Sequence, residues 1–373
     1  MKFLKDKVIL TSSLKTLMPI IKIVGNKCNL KCDYCFYHDT NQSANNLMEF
    51  DLLEKFIKQY LRLFPTEKVF FIWHGGEPTL AGINYFQSII ELQNKYKDTK
   101  QTIRNAIQTN ATLIDNKWSA FFRQHNFRVG VSLDGNQESH AIHRNKSFTK
   151  TINGIRCLRK FNLEPGIIQT LTKSQVCKTE SNFDYFVHKL KIRKWGTNIY
   201  HSASQINHQM RDESIENKDL TEYISALLNL WLKTDQKNLQ IREIDNFVSG
   251  VLGTRANSCS FNGSCTGYFC LDYDGTIFPC DRLANKKELI FGNLSNQPLI
   301  DILNGPARQN FVIKTKKIND DCKNCQWFHA CHNGCTGQRA PNIDGKYIYC
   351  ESRKILFKLF DDIVRKANQI GRR

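Results

Sequence analysis

Three cysteines fall at Cys-x3-Cys-x2-Cys spacing in Cys28-Asn-Leu-Lys-Cys32-Asp-Tyr-Cys35, followed by Phe36 and Tyr37. A single loop that gathers three thiolates is built to hold soft metal, and iron–sulfur clusters take cysteine thiolates. A [4Fe–4S] cluster wants four such ligands. Three leave one iron open to bind something else. The aromatic Tyr34 stands directly before the third cysteine. The plainer alternative is structural zinc, since His38 would complete a Cys3His set.

A second group lies in the last third: Cys259, Cys265, Cys270, Cys280, Cys322, Cys325, Cys331, Cys335 and Cys350. Cys322-x2-Cys325-x5-Cys331-x3-Cys335 is a dense ligand run that Cys350 closes. Spacing alone leaves iron–sulfur clusters and zinc ribbons both open, because each takes four thiolates. The N-terminus, Met1-Lys-Phe-Leu-Lys-Asp-Lys, lacks the apolar core of a signal peptide. No apolar run approaches the ~20 residues of a membrane helix. A cytoplasmic location is therefore expected, where fourteen cysteines argue for metal rather than disulfides.

The net charge of +18 favours anionic partners. The lysines are scattered and lack interleaved aromatics, which speaks against nucleic acid. An acidic peptide or protein substrate fits the charge as well.

These residues need elements to position them. Residues 19–25 read as a strand that feeds the first cysteine loop. Apolar residues at Leu52, Leu53, Phe56, Ile57, Tyr60, Leu61 and Phe64 give a helical stripe over 50–64. Strand and helix then alternate: strand 69–73, helix 84–96, strand 104–109, a helix capped by Asp115, strand 127–132, helix 149–161, strand 166–171, helix 181–190 and strand 196–201. Alternation of this kind argues an α/β fold with a parallel sheet. Residues 203–219 are polar and read as a loop, before a helix over 219–232. Near Cys280, Asp274-Gly275 between two alternating runs reads as a β-hairpin. Two domains are expected, 1–235 and 236–373.

The cysteine triad with its aromatic residue resembles the radical S-adenosylmethionine (SAM) enzymes. That resemblance implies a partial (β/α)6 barrel with its functional residues at the C-terminal ends of strands. It also implies an open iron that binds SAM and a 5′-deoxyadenosyl radical that abstracts hydrogen. Gly75-Gly76-Glu77-Pro78 matches the family's GGEP motif, whose glycines let the backbone approach SAM. Tyr34, Gln108, Asn110, Ser132, Asp134 and Arg144 align with positions that line the SAM pocket of relatives. The C-terminal third resembles the SPASM domain, a cysteine-rich extension with a small hairpin and a C-terminal helix. Carried over by position, one auxiliary [4Fe–4S] cluster takes Cys259, Cys265, Cys280 and Cys335. The other takes Cys322, Cys325, Cys331 and Cys350. Cys157, Cys177 and Cys270 are left over, as buried and inert thiols.

From Cys28 to Cys350 the chain resembles the anaerobic sulfatase-maturating enzymes. Those enzymes oxidise a Cys or Ser side chain of a target protein to Cα-formylglycine. The resemblance makes Asp281 the proton acceptor, matches Tyr37 to a tyrosine near the reacting centre, and implies a flavodoxin- or ferredoxin-type electron donor. Three features depart from that family: His74 replaces a usual Gln, Ala111 a usual Gly, and Trp195–His201 lacks the expected Gln-Phe-Ile type of strand. A second enzymatic reading therefore stands beside the first. In it the same Cβ hydrogen abstraction crosslinks an aromatic ring to a neighbouring side chain of a ribosomal precursor peptide, forming a cyclophane. The non-enzymatic alternative is a zinc-stabilised binding protein with a basic surface.

Overall fold

The computed structural model describes residues 17–37, 47–65, 67–202, 208–236, 238–284 and 286–370. His38, the N-terminal stretch read for a leader and residues 203–207 of the polar loop lie outside the described residues.

Six strands run parallel in chain order: β1 (Met18–Lys22), β2 (Lys68–Trp73), β3 (Thr102–Thr109), β4 (Arg128–Ser132), β5 (Gly166–Leu171) and β6 (Lys194–Ile199). Between them lie α1 (Phe50–Leu63), α2 (Ile83–Tyr96), α3 (Asn116–Gln124), α4 (Gln137–Arg144) and α5 (Phe148–Lys160). The apolar stripe of α1 does what its period requires: Leu53, Phe56, Ile57, Tyr60 and Leu61 are buried. Asp115 caps α3 by accepting from the Trp118 amide. β2 to β6 lie within about two residues of their expected bounds, the usual margin for such boundaries, while β1 ends at Lys22, three residues before its expected end.

The sheet does not close, so the barrel is partial. Its order is β10-β9-β8-β1-β2-β3-β4-β5-β6-β7. Gln240–Ile241 (β7) extends the β6 edge. On the other side Tyr268–Asp272 (β8) pairs in parallel with β1, from Met18↔Tyr268 to Lys22↔Asp272. Thr276–Phe278 (β9) folds back on β8 as the expected hairpin, and Gly292–Asn293 (β10) follows. Gly275 turns that hairpin at φ +88°, a conformation glycine adopts without strain. The sheet thus runs across the expected domain boundary.

Two expectations are corrected. The helix expected over 181–190 is a short α-turn, Thr179–Phe183, continued by a π-helical segment, Asp184–Lys189. The helix α4 was not expected at all. Its buried face is polar (Ser139, His140, His143 and Arg144), so hydrophobic periodicity could not register it. The C-terminal helix, Cys350–Ile370, packs Leu356, Phe357 and Phe360 into the core.

Candidate active site

Cys28, Cys32 and Cys35 occupy the loop after β1, and neighbouring strand ends hold that loop. The Glu77 amide donates to the Lys27 carbonyl at 2.8 Å, and the Asp33 amide to the His143 carbonyl at 3.0 Å. The Gly75-Gly76 turn lies so close that side chains have no room. A Cβ on Gly76 would stand 2.1 Å from the Lys27 oxygen, and one on Gly75 would stand 2.5 Å from Lys22 Cγ. Both glycines have positive φ, +84° and +53° in order. The motif's glycines therefore dock the turn onto the cysteine loop. Burial pushes the Cys28 thiol up to about 11 and the Cys35 thiol up to about 12. Such thiols stay protonated at neutral pH until metal takes the proton's place, which is how a soft-metal donor set behaves.

Glu77 is buried, and its carboxylate accepts from the Thr79 amide and hydroxyl, the Thr109 hydroxyl and the Asn110 amide. Asn110 in turn reaches Asn29 Oδ1 at 2.9 Å and Cys28 Sγ at 3.8 Å. Gln108 donates to the Ser132 hydroxyl at 2.9 Å. Asp134 has no exposed surface. It accepts from the Thr170 amide and, at 2.5 Å, from Tyr34 Oη. Both of its oxygens are engaged, so it supports Tyr34 rather than lining open space. Arg144 donates to Tyr34 Oη at 3.2 Å, yet its buried Nε has no hydrogen-bond partner. Arg144 Nε, 3.9 Å from Asp134 Oδ2 and without a hydrogen bond, suits the carboxylate of SAM, so the residues present fit that cofactor. Ala111 adopts φ +59°, the left-handed conformation that a glycine would hold more easily.

A second polar centre lies where the loop meets the C-terminal third. The Tyr37 hydroxyl donates to Asp281 Oδ1. His74 Nδ1 is 3.8 Å from Asp281 Oδ2 and accepts from the Gly75 amide at 2.6 Å. Lys22 is 1% exposed and binds Asp272 at 2.9 Å, with its ammonium 4.4 Å from the centre of the Tyr37 ring. Lys22, Asp272 and His143 were not singled out by sequence reasoning. A lysine inside the apolar run Pro19–Gly25 was the available signal.

The remaining cysteines sort into two groups. Cys259, Cys265, Cys280 and Cys335 line a cavity of about 220 Å³ together with Arg282 and Arg353. Cys322, Cys325, Cys331 and Cys350 line a second, smaller space. Tyr347 and Arg353 border both. Among the described residues no three His, Cys, Asp or Glu side chains close to single-ion spacing. Cys270 is buried as expected, against Phe278 and Ala284. Cys177 is exposed and Cys157 half-buried, which corrects the expectation for those two. Cys177 follows the one-turn helix Lys173–Val176, and Cys157, on α5, packs against the edge of the hydrophobic core.

Comparison with known proteins agrees with this geometry. The radical SAM superfamily model matches residues 22–173, and the iron–sulfur cluster-binding SPASM domain model matches residues 259–326. A cysteine-type anaerobic sulfatase-maturating enzyme of Clostridium perfringens is 30% identical over 370 residues, 94% of this chain and 98% of the relative. A serine-type enzyme of Bacteroides thetaiotaomicron is 28% identical over 89% of this chain and 86% of its own. The solved structure of native anSMEcpe with bound AdoMet superposes with a TM-score of 0.87 at 29% identity, covering 95% of this chain and all of that one (100%). These matches displace the zinc-stabilised binding protein and make the cofactors SAM, a SAM-binding cluster and auxiliary iron–sulfur clusters. The chain is a radical SAM enzyme, and it belongs to the family of anaerobic sulfatase-maturating enzymes.

Proposed function

We propose that this enzyme oxidises a cysteine or serine side chain of a partner polypeptide to Cα-formylglycine. Relatives of both the cysteine and the serine type support the reaction, and anSMEcpe has been solved with bound peptides. The observation that carries the proposal is the Tyr37–Asp281 contact beside His74. It sets a carboxylate between the N-terminal cysteine loop and Cys280 of the first C-terminal group.

In this reading Cys28, Cys32 and Cys35 hold the SAM-binding cluster. Cys259, Cys265, Cys280 and Cys335 hold one auxiliary cluster, and Cys322, Cys325, Cys331 and Cys350 the other. Arg144, Tyr34, Gly75, Gly76, Glu77, Gln108, Asn110, Ser132 and Asp134 build and support the SAM pocket. The bound cofactors would supply a radical that takes one Cβ hydrogen atom and a centre that accepts the remaining electron. Asp281 takes the proton of the substrate thiol or hydroxyl, and Tyr37 holds that carboxylate in place. A serine substrate thereby becomes the aldehyde directly. A cysteine substrate gives a thioaldehyde, which water converts to the aldehyde with loss of hydrogen sulfide. A flavodoxin- or ferredoxin-type donor would supply the electron that the SAM-binding cluster needs.

The cyclophane reading draws on fold alone. Streptococcus suis SuiB bound to its precursor peptide SuiA superposes with a TM-score of 0.66 at 16% identity over 90% of this chain and 75% of SuiB.

The test is anaerobic reconstitution, followed by SAM, a reductant and a synthetic cysteine-containing peptide from a sulfatase modification site. Hydrazine capture with mass spectrometry reads the aldehyde. Asp281→Asn is expected to keep SAM cleavage while the aldehyde yield falls about 10²–10⁴-fold, the range of a lost general base. Full yield from that variant would refute the base role. A crosslinked peptide without aldehyde from the unaltered enzyme would refute formylglycine formation.

A further inference from the structure

Lys22 has no role in the reaction described above, yet it is one of the most deeply buried charges in the molecule, at 1% exposure. Enclosing an ammonium costs several kcal/mol unless partners compensate. Its partners come from three separate segments. Asp272 of β8 accepts at 2.9 Å, and Asn26 of the cysteine loop at 3.5 Å. The Tyr37 ring faces the ammonium with its centre 4.4 Å away. The stem fills the space beneath Gly75, where an added Cβ would meet Lys22 Cγ at 2.5 Å and Cε at 2.9 Å. Burial opposes the charge, but Asp272, Cys270 and Asp281 together hold the Lys22 pKa above its ordinary value.

A cation held over a desolvated tyrosine face favours one ring orientation. That ring carries the hydroxyl that donates to Asp281. The cation is itself fixed by a cross-strand partner, since Lys22 and Asp272 are paired in the β1–β8 register. We propose that Lys22 is a positioning residue: anchored on Asp272, it holds the Tyr37 ring where the hydroxyl meets the Asp281 carboxylate. Through this anchor the proton-accepting centre assembles only when β8 is docked on β1. The inference rests on the role given above to Asp281, but the placement of Tyr37 is testable without it.

The test compares reconstituted full-length Lys22→Met, which keeps the stem without the charge, and Lys22→Arg, which keeps the charge. Crystal structures of both variants report the Tyr37–Asp281 contact with no substrate present. In Lys22→Met the contact is expected to open beyond hydrogen-bonding distance while the Cys28–Cys35 loop keeps its course. Lys22→Arg is expected to retain it. Product is then counted per 5′-deoxyadenosine, with the same cysteine-containing peptide as probe. Lys22→Met should keep iron content and peptide-free SAM cleavage within twofold, while product per 5′-deoxyadenosine falls at least tenfold and Lys22→Arg recovers part of it. An intact Tyr37–Asp281 contact in Lys22→Met overturns the proposal. So does a parallel loss of SAM cleavage and product, which would place Lys22 with the cysteine loop alone. Should Lys22→Met not fold, Asp272→Asn removes the anchor and leaves the cation; unchanged coupling in that variant also overturns the proposal. An unaltered enzyme that cleaves SAM without oxidising the peptide counts against the proposed reaction, and the crystallographic comparison still decides the placement of Tyr37.

Discussion

Glu77 shows what a single buried side chain does for this site. Its carboxylate accepts four hydrogen bonds, from Thr79 twice, Thr109 and Asn110, so it ties the turn after β2 to the end of β3. Asn110 then braces Cys28. Glu77→Gln replaces one acceptor oxygen by a donor that faces another donor. The expected cost is about 1–3 kcal/mol of stability, the range for a buried group left unsatisfied. Urea unfolding of the variant beside the unaltered chain measures it, and a difference below about 0.5 kcal/mol, the scatter of a surface substitution, would contradict the assigned role. At this scale the cysteines were legible because ligand chemistry is written in residue type and spacing. The eight C-terminal thiols lie around two spaces, four at each. Lys22 and His143 were not legible, because a buried polar residue is explained by partners that only the tertiary fold brings to it. His143 meets Thr172 at 3.0 Å and Asp33 at 3.4 Å, far away in the chain.

Within the barrel, α1 to α3 and α5 were read nearly to their ends, whereas α4, which is stabilised by polar burial, was not; beyond the barrel, the helix Arg242–Val251 buries Ile244 and Phe247 at helical spacing and was missed all the same. α1 and α2 bury Phe and Ile at helical spacing, so the sequence itself displays their inner faces. α4 buries two histidines and an arginine, and its inner face is visible only once Asp134, Ser147 and the cysteine loop surround it. The π-helical segment Asp184–Lys189 likewise has no signature in periodicity. The turn after β2 gives the sharpest test at this scale. Gly76→Ala places a methyl against the Lys27 carbonyl in a backbone conformation that costs about 1–2 kcal/mol for a residue with a side chain. Gly82→Ala imposes at least as much backbone strain, at φ +83° and ψ 158°, but meets no atom within 4 Å. Gly76→Ala is therefore expected to lose the iron of the Cys28–Cys35 site and its spectroscopic response to SAM, whereas Gly82→Ala retains both. Equal iron content in the two variants would show that the docking of the turn onto the loop does not matter.

The whole molecule is joined through one sheet. β8 continues the barrel strands in register with β1, and Phe269 and Leu271 on it have no exposed surface. Phe269 packs edge-on against Phe56 and Tyr60 of α1 at 6.3 and 6.2 Å. Each buried aromatic of this kind contributes about 2–3 kcal/mol. Without β8, β1 becomes an exposed edge strand carrying the cysteine loop at its end, and unpaired edges of apolar strands associate. This continuity was not legible from periodicity, because the parallel pairing joins residues about 250 positions apart and no local pattern records it. A chain ending at residue 256 is thus expected to accumulate as insoluble or dye-binding aggregate, and in the full chain the barrel and the cysteine-rich third to melt together. The decisive measurement is calorimetry together with sedimentation of the truncated chain. A soluble monomeric fragment that unfolds cooperatively and still cleaves SAM would show that the barrel stands alone, and that the cysteine-rich third serves the chemistry without holding the fold.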